Sequence, residues 1–140
     1  MNATLKNLKN YFSLALCLSL LTVVYSASYA NVTEDKTTLK AREAVENASP
    51  DDWMAYAKNA EKCIKKNVNL KEAAEWLDKS ISIKETPYNF KVKGLYYEKN
   101  NLPKEALKCY VKSLRLGLET DINYTDSDTQ LKVKELLDKA

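Results

Sequence analysis

The sequence predicts an all-α fold of tandem antiparallel helix pairs, closed by a C-terminal capping helix. Two observations carry this. Apolar residues recur at helical spacing through residues 50–120, between clear start and stop signals. One helix is also written twice: KEAAEWLDKSI, residues 71–81, returns as KEALKCYVKSL, residues 104–114, with Lys, Glu, Ala, Lys and Ser in register. Each helix pair is expected to bury its apolar face mainly against the next one.

Residues 1–30 read as a secretory signal peptide. Lys6 and Lys9 make a basic start, and YFSLALCLSLLTVVY, residues 11–25, is the apolar core. Ser28 and Ala30 are the small residues a leader peptidase needs, so cleavage is expected after Ala30. The apolar stretch is shorter than the ~20 residues of a bilayer-spanning helix, so no stable membrane span is expected after cleavage. An uncleaved anchor is the alternative. Leu16 stands before Cys17 where lipid attachment needs a small residue, which leaves Cys17 an ordinary leader residue. The protein is thus expected to be exported, periplasmic or secreted. Its histidine-free, lysine- and asparagine-rich composition points to a bacterial chain.

The N-terminal segment 31–49 contains KTTLKAREAVENA, residues 36–48, a weakly apolar candidate helix. The first strong helix is expected from Ser49 as N-cap, with Pro50 at its first position and Asp51 and Asp52 against the positive end of the dipole. Trp53, Ala57, Ala60 and Ile64 share one face, and Asn67 supplies a left-handed stop after Lys66. Asn69 and Glu72 predict a capping box for the next helix, whose stripe is Leu70, Ala73, Ala74, Leu77 and Ile81. Thr86 and Pro87 open a third helix with Phe90, Gly94 and Tyr97 on one face. Pro103 opens a fourth, with Ala106, Leu107, Tyr110 and Leu114 inward and Gly117 as a stop. Residues 118–127 read as a loop. A capping helix over 128–140 is expected to offer Leu131, Leu136 and Leu137 to the end of the stack.

From Pro87 to about Thr120 these residues resemble the tetratricopeptide repeat, a 34-residue helix–turn–helix unit. Phe90, Gly94, Tyr97, Ala106 and Tyr110 fall on its signature, and Ser113 stands for its second small residue. Lys93 departs where the signature has Leu, and the closing Pro is absent. In the earlier unit Trp53, Tyr56 and Ala57 fit the opening and Ala73, Leu77 and Ser80 the second half, with four extra residues between. The first helix is therefore expected to be about a turn long for the family. Gly94 is expected where two helices cross most closely, facing Ala106 and Ser113.

The resemblance implies a concave face lined by the first helix of each pair, where an extended or helical partner binds. Carried over, it places Tyr88, Lys91, Leu95 and Lys99 on the third helix, and Met54, Lys58 and Lys62 on the first, at or near that groove. Several lysines with a few aromatics suit a peptide bearing acidic groups. The competing reading makes them the solvated face of amphipathic helices.

Little points to catalysis. No histidine is present, and only two glycines, so neither a histidine relay nor a phosphate-cradling loop is expected. Cys63 and Cys109 lack CxxC partners and are expected as two separate packed thiols; no metal or cofactor is expected. The chain has 22 Lys and Arg against 19 Asp and Glu, and two of the basic residues are Lys6 and Lys9. The near balance that remains argues against nucleic acid as a partner. The expectation is a protein–protein interaction module whose partner, a protein or peptide, is unidentified. The alternatives are a self-associating adaptor, since two units leave end faces that a homodimer would cover, and a membrane-tethered scaffold.

Overall fold

A computed structural model describes residues 34–139; the leader expected over residues 1–30 lies outside the described residues. Six helices follow one another: α1 Lys36–Glu46, α2 Trp53–Lys66, α3 Leu70–Ile83, α4 Pro87–Lys99, α5 Pro103–Thr120 and α6 Ser127–Leu137. No strand occurs among the described residues. α2 pairs with α3 and α4 with α5, while α4 also packs on both members of the first pair. α1 lies against α2, and α6 against α5.

Helix starts follow from side-chain caps. Asp35, Asp52, Thr86 and Asp126 accept from the N–H groups of Thr37, Ala55, Asn89 and Thr129 at 2.7, 2.9, 3.2 and 3.1 Å. The start expected at Ser49 therefore moves to Asp52. Ser49 to Asp52 instead close a turn, the Asp52 N–H donating to the Ser49 carbonyl at 3.0 Å. Thr86 and Asn89 form a full capping box. The box expected at Asn69 and Glu72 is absent, because Asn69 is left-handed (φ 49°) and makes no side-chain cap. It donates to the Glu72 carboxylate instead (3.2 Å), which Arg42 of α1 grips with Nε at 2.7 Å and Nη2.

The two pairs are closed alike. Asn67 and Asn101 both sit at φ 57°, and the N–H groups of Val68 and Leu102 reach back to the carbonyls of Cys63 and Tyr97 at 3.0 and 2.9 Å. Across each pair a fully buried serine hydroxyl donates to the carbonyl of the partner helix's first residue. Ser80 reaches Trp53 at 2.7 Å, 27 residues away, and Ser113 reaches Pro87 at 2.6 Å, 26 residues away. The pairs thus differ by one residue, accommodated by Asn69 in the turn. The four-residue excess expected for the first unit is not there: Tyr56 and Ala60, rather than Trp53 and Ala57, occupy the places of Phe90 and Gly94.

Gly94 is buried, but its neighbour differs from expectation. A Cβ there would stand 2.5 Å from Cε1 and 2.6 Å from Cδ1 of Tyr110. The glycine makes room for an aromatic ring that carries the second core with Ala106 and Leu136. Gly117 is not a stop. It is buried inside α5, which runs on to Thr120, and a Cβ would fall within the ring of Tyr124. The loop is accordingly shorter than expected, and it folds back so that Tyr124 covers Gly117. The capping helix buries Leu136 with Thr129 but leaves Leu131 and Leu137 more than half exposed. Leu131 stands five positions before Leu136 and Leu137 one after it, and neither spacing puts two residues on the same helix face. Lys93, where the repeat signature has Leu, lays a half-buried stem on the stack and pairs with Asp78 of α3 at 2.8 Å.

Two substitutions check this packing. Gly94→Ala should lower stability by about 1–3 kcal/mol through overpacking against Tyr110, although alanine favours a helix by about 1 kcal/mol. Ser113→Ala should cost about 1 kcal/mol by removing the buried bond to the Pro87 carbonyl. Denaturant unfolding of each variant measures both.

Candidate partner-binding groove

The first helices of successive pairs, α2 and α4, lie side by side, and α6 takes the next place. Polar contacts join them: the Tyr88 hydroxyl donates to Glu61 at 2.7 Å, Lys91 donates to both Asp126 oxygens at 2.9 Å, and Lys132 meets Glu98 at 3.2 Å. On this face lies a cavity of about 380 Å3. Trp53, Tyr88 and Tyr124 give it aromatic walls, and Glu61, Lys91 and Asp126 its charges.

Each wall has a local cause. Tyr88 is the second residue of α4, placed by the Thr86–Asn89 box. Tyr124 is held over Gly117, in a turn where its N–H donates to the Asp121 carbonyl at 2.9 Å. Asp126 is the cap of α6, so one carboxylate both starts a helix and neutralises Lys91.

Electrostatics locks these groups in their charged or neutral forms. Burial pushes the Glu61 carboxyl up, but Lys65, the Tyr88 hydroxyl and Lys91 outweigh it and hold the group below the usual carboxylate range. Asp126 behaves alike: burial opposes its charge, while Lys91 and the Thr129 N–H lower it further than burial raises it. Burial and the acceptor Glu61 push the Tyr88 phenol well above its ordinary value, so it stays a donor.

Of the residues expected at the groove, the structure brings Tyr88 and Lys91 together. Leu95 is half-buried and packs on the first core with Ala60, Leu77 and Val92. Met54, Lys58, Lys62 and Lys99 stand in solvent outside the cavity's lining. Lys62 is tethered to Asn59 Oδ1 at 2.9 Å. The groove is also not basic as expected, because Lys91 is met by Asp126 and, at 3.7 Å, by Asp128. Tyr124 and Asp126 were hidden in a stretch read as loop. The Asp-Ser-Asp run ahead of the apolar positions of α6 was the signal for a helix cap there.

Among the described residues no three His, Cys, Asp or Glu side chains come together to hold a metal. Cys63 and Cys109 are free thiols, and burial pushes both above the ordinary thiol value. No helix of the described residues is long and apolar enough to cross a membrane. Compared with known proteins, the chain matches no family model, no curated protein and no solved structure.

The ionised groove sets an acid limit. The folded-state values of Asp126 and Glu61 lie below the ordinary 3.8 and 4.5. Their stabilisation is therefore complete above those values and lost as the pH falls through the depressed ones. Thermal melts between pH 6 and 2 should show stability falling below about pH 4, with a shallower fall in Asp126→Asn.

Proposed function

We propose that the domain is an exported protein-interaction module of the tetratricopeptide-repeat type, which takes a segment of a protein or peptide partner in the groove across α2, α4 and α6. The observation that supports this most is the cavity bounded by Trp53, Tyr88 and Tyr124, whose charged groups Glu61, Lys91 and Asp126 are already partnered. Such a surface offers aromatic area without charge to be neutralised, which suits an apolar or aromatic anchor better than an acidic one. The bond from Ser80 to Trp53, repeated from Ser113 to Pro87, supports the repeat reading. Export rests on the leader features of residues 1–30; mass spectrometry of the protein from its host should find an N-terminus at Asn31.

Photo-crosslinking tests the groove. A photoreactive residue at Tyr88 should give a discrete adduct in the native host, while the same residue at the exposed Glu75 on α3 should not. Identical adduct patterns from both sites would sink the proposal. Gly117→Ala, which displaces Tyr124, should weaken the Tyr88 adduct several-fold, as removal of one hot-spot aromatic does.

A second reading, self-association, is favoured by the apolar residues left open at the far end of the stack. Val111, Leu118, Leu131 and Leu137 are all about half exposed. Sedimentation that shows a strict monomer at high concentration removes it.

A further inference from the structure

At the opposite end of the stack, the N-terminal turn of α1 and the last turns of α2 enclose a second cavity of about 540 Å3. Lys36 and Lys40 of α1 line it together with Lys62, Lys65 and Lys66 of α2. Among the described residues of the lining, Asp35 is the one acid. Lys65 is paired to Glu61 at 2.8 Å and Lys62 to the neutral Asn59 at 2.9 Å. Among the described residues, no ion pair engages Lys36, Lys40 or Lys66.

The solvated-face explanation covers only part of this. Lys65 and Lys66 occupy the last turn of α2, where the helix dipole favours cations. Lys36 and Lys40 lie in and just after the first turn of α1, where the dipole disfavours them. That end is already capped by Asp35, which the Thr37 hydroxyl and N–H hold below the ordinary carboxylate value. Five ammonium groups stand around one concavity, and Asp35 together with Glu61, the partner of Lys65, leaves an excess of positive charge among the described residues there.

We infer that this cavity binds a multiply charged phosphate-bearing anion. Charge density argues for phosphate, since several negative charges must fit within about 540 Å3, whereas a peptide carries about one carboxylate per residue. The donor set is compatible with this: the cations of the described lining are lysines, which act on phosphate as point charges. A soluble compound and an anionic lipid headgroup both carry such a phosphate, and the chemistry at the lysines is the same for both.

Calorimetry with the full chain at low salt tests this with inorganic tripolyphosphate as the probe. Saturable binding is expected, weakening as sodium chloride is raised. The triple variant Lys36→Gln, Lys40→Gln, Lys66→Gln alters exposed residues and should melt as the parent does, yet bind roughly tenfold or more weakly. Asp35→Asn keeps a good helix cap and removes the opposing charge, so it should bind tighter. No binding, or equal binding by the parent and triple variant, overturns the inference. So does poly-glutamate binding as tightly as tripolyphosphate. Vesicles separate the sources: retention on phosphatidylglycerol but not phosphatidylcholine vesicles, competed by tripolyphosphate, identifies a lipid headgroup, and tripolyphosphate binding without retention identifies a soluble ligand.

Discussion

The arrangement depends on a buried hydroxyl relay. Asn89, fully enclosed, donates to the Lys84 carbonyl at 2.7 Å and to Ser80 Oγ at 3.3 Å, while its own oxygen accepts the Thr86 N–H at 2.9 Å. The Ser80 hydroxyl in turn donates a hydrogen bond to the Trp53 carbonyl. One chain of bonds thus ties the start of α2, the end of α3 and the cap of α4. Buried polar groups are costly unless every member is satisfied, and here each finds a partner in only one relative placement of the three helices. Apolar packing alone would tolerate sliding. The relay sets the register between the first pair and the second.

From that register the groove follows. Once α4 is seated on α2, Tyr88 falls opposite Glu61, and Lys91 faces the place where α6 must begin. Asp126 then serves two ends, capping its own helix and meeting Lys91. Farther along, Tyr110 donates to Glu98, whose other oxygen receives Lys132 of α6. Charges that would be solvated on an isolated helix are spent between neighbouring helices, and half-buried aromatic side chains line the cavity beside them. The second cavity shows the contrary arrangement: its lysines outnumber the acids beside them, because α1 and α2 meet there at ends that both carry basic residues.

Glycine has a different use from the one its rarity suggests. Neither Gly94 nor Gly117 turns the chain, and neither has a positive φ. Each leaves a vacancy in a helix that a tyrosine ring from another segment fills, Tyr110 in one case and Tyr124 in the other. The first vacancy builds the second core; the other holds the groove's edge.

The all-helical class and the placing of α2 to α5 were legible in the sequence, because proline, asparagine and threonine act through local backbone geometry and apolar spacing records which face is buried. The twice-written segment with Ser80 and Ser113 was legible for the same reason. What side chains do across helices was not. That Lys91 would be neutralised, that Leu95 would enter the core and that Tyr124 would reach the groove depends on contacts between residues distant in the chain, and no local pattern encodes those. Even the equivalence of the two units was settled by hydrogen bonds, since Trp53 and Tyr56 are both aromatic and only the carbonyl that Ser80 reaches tells which one matches Phe90.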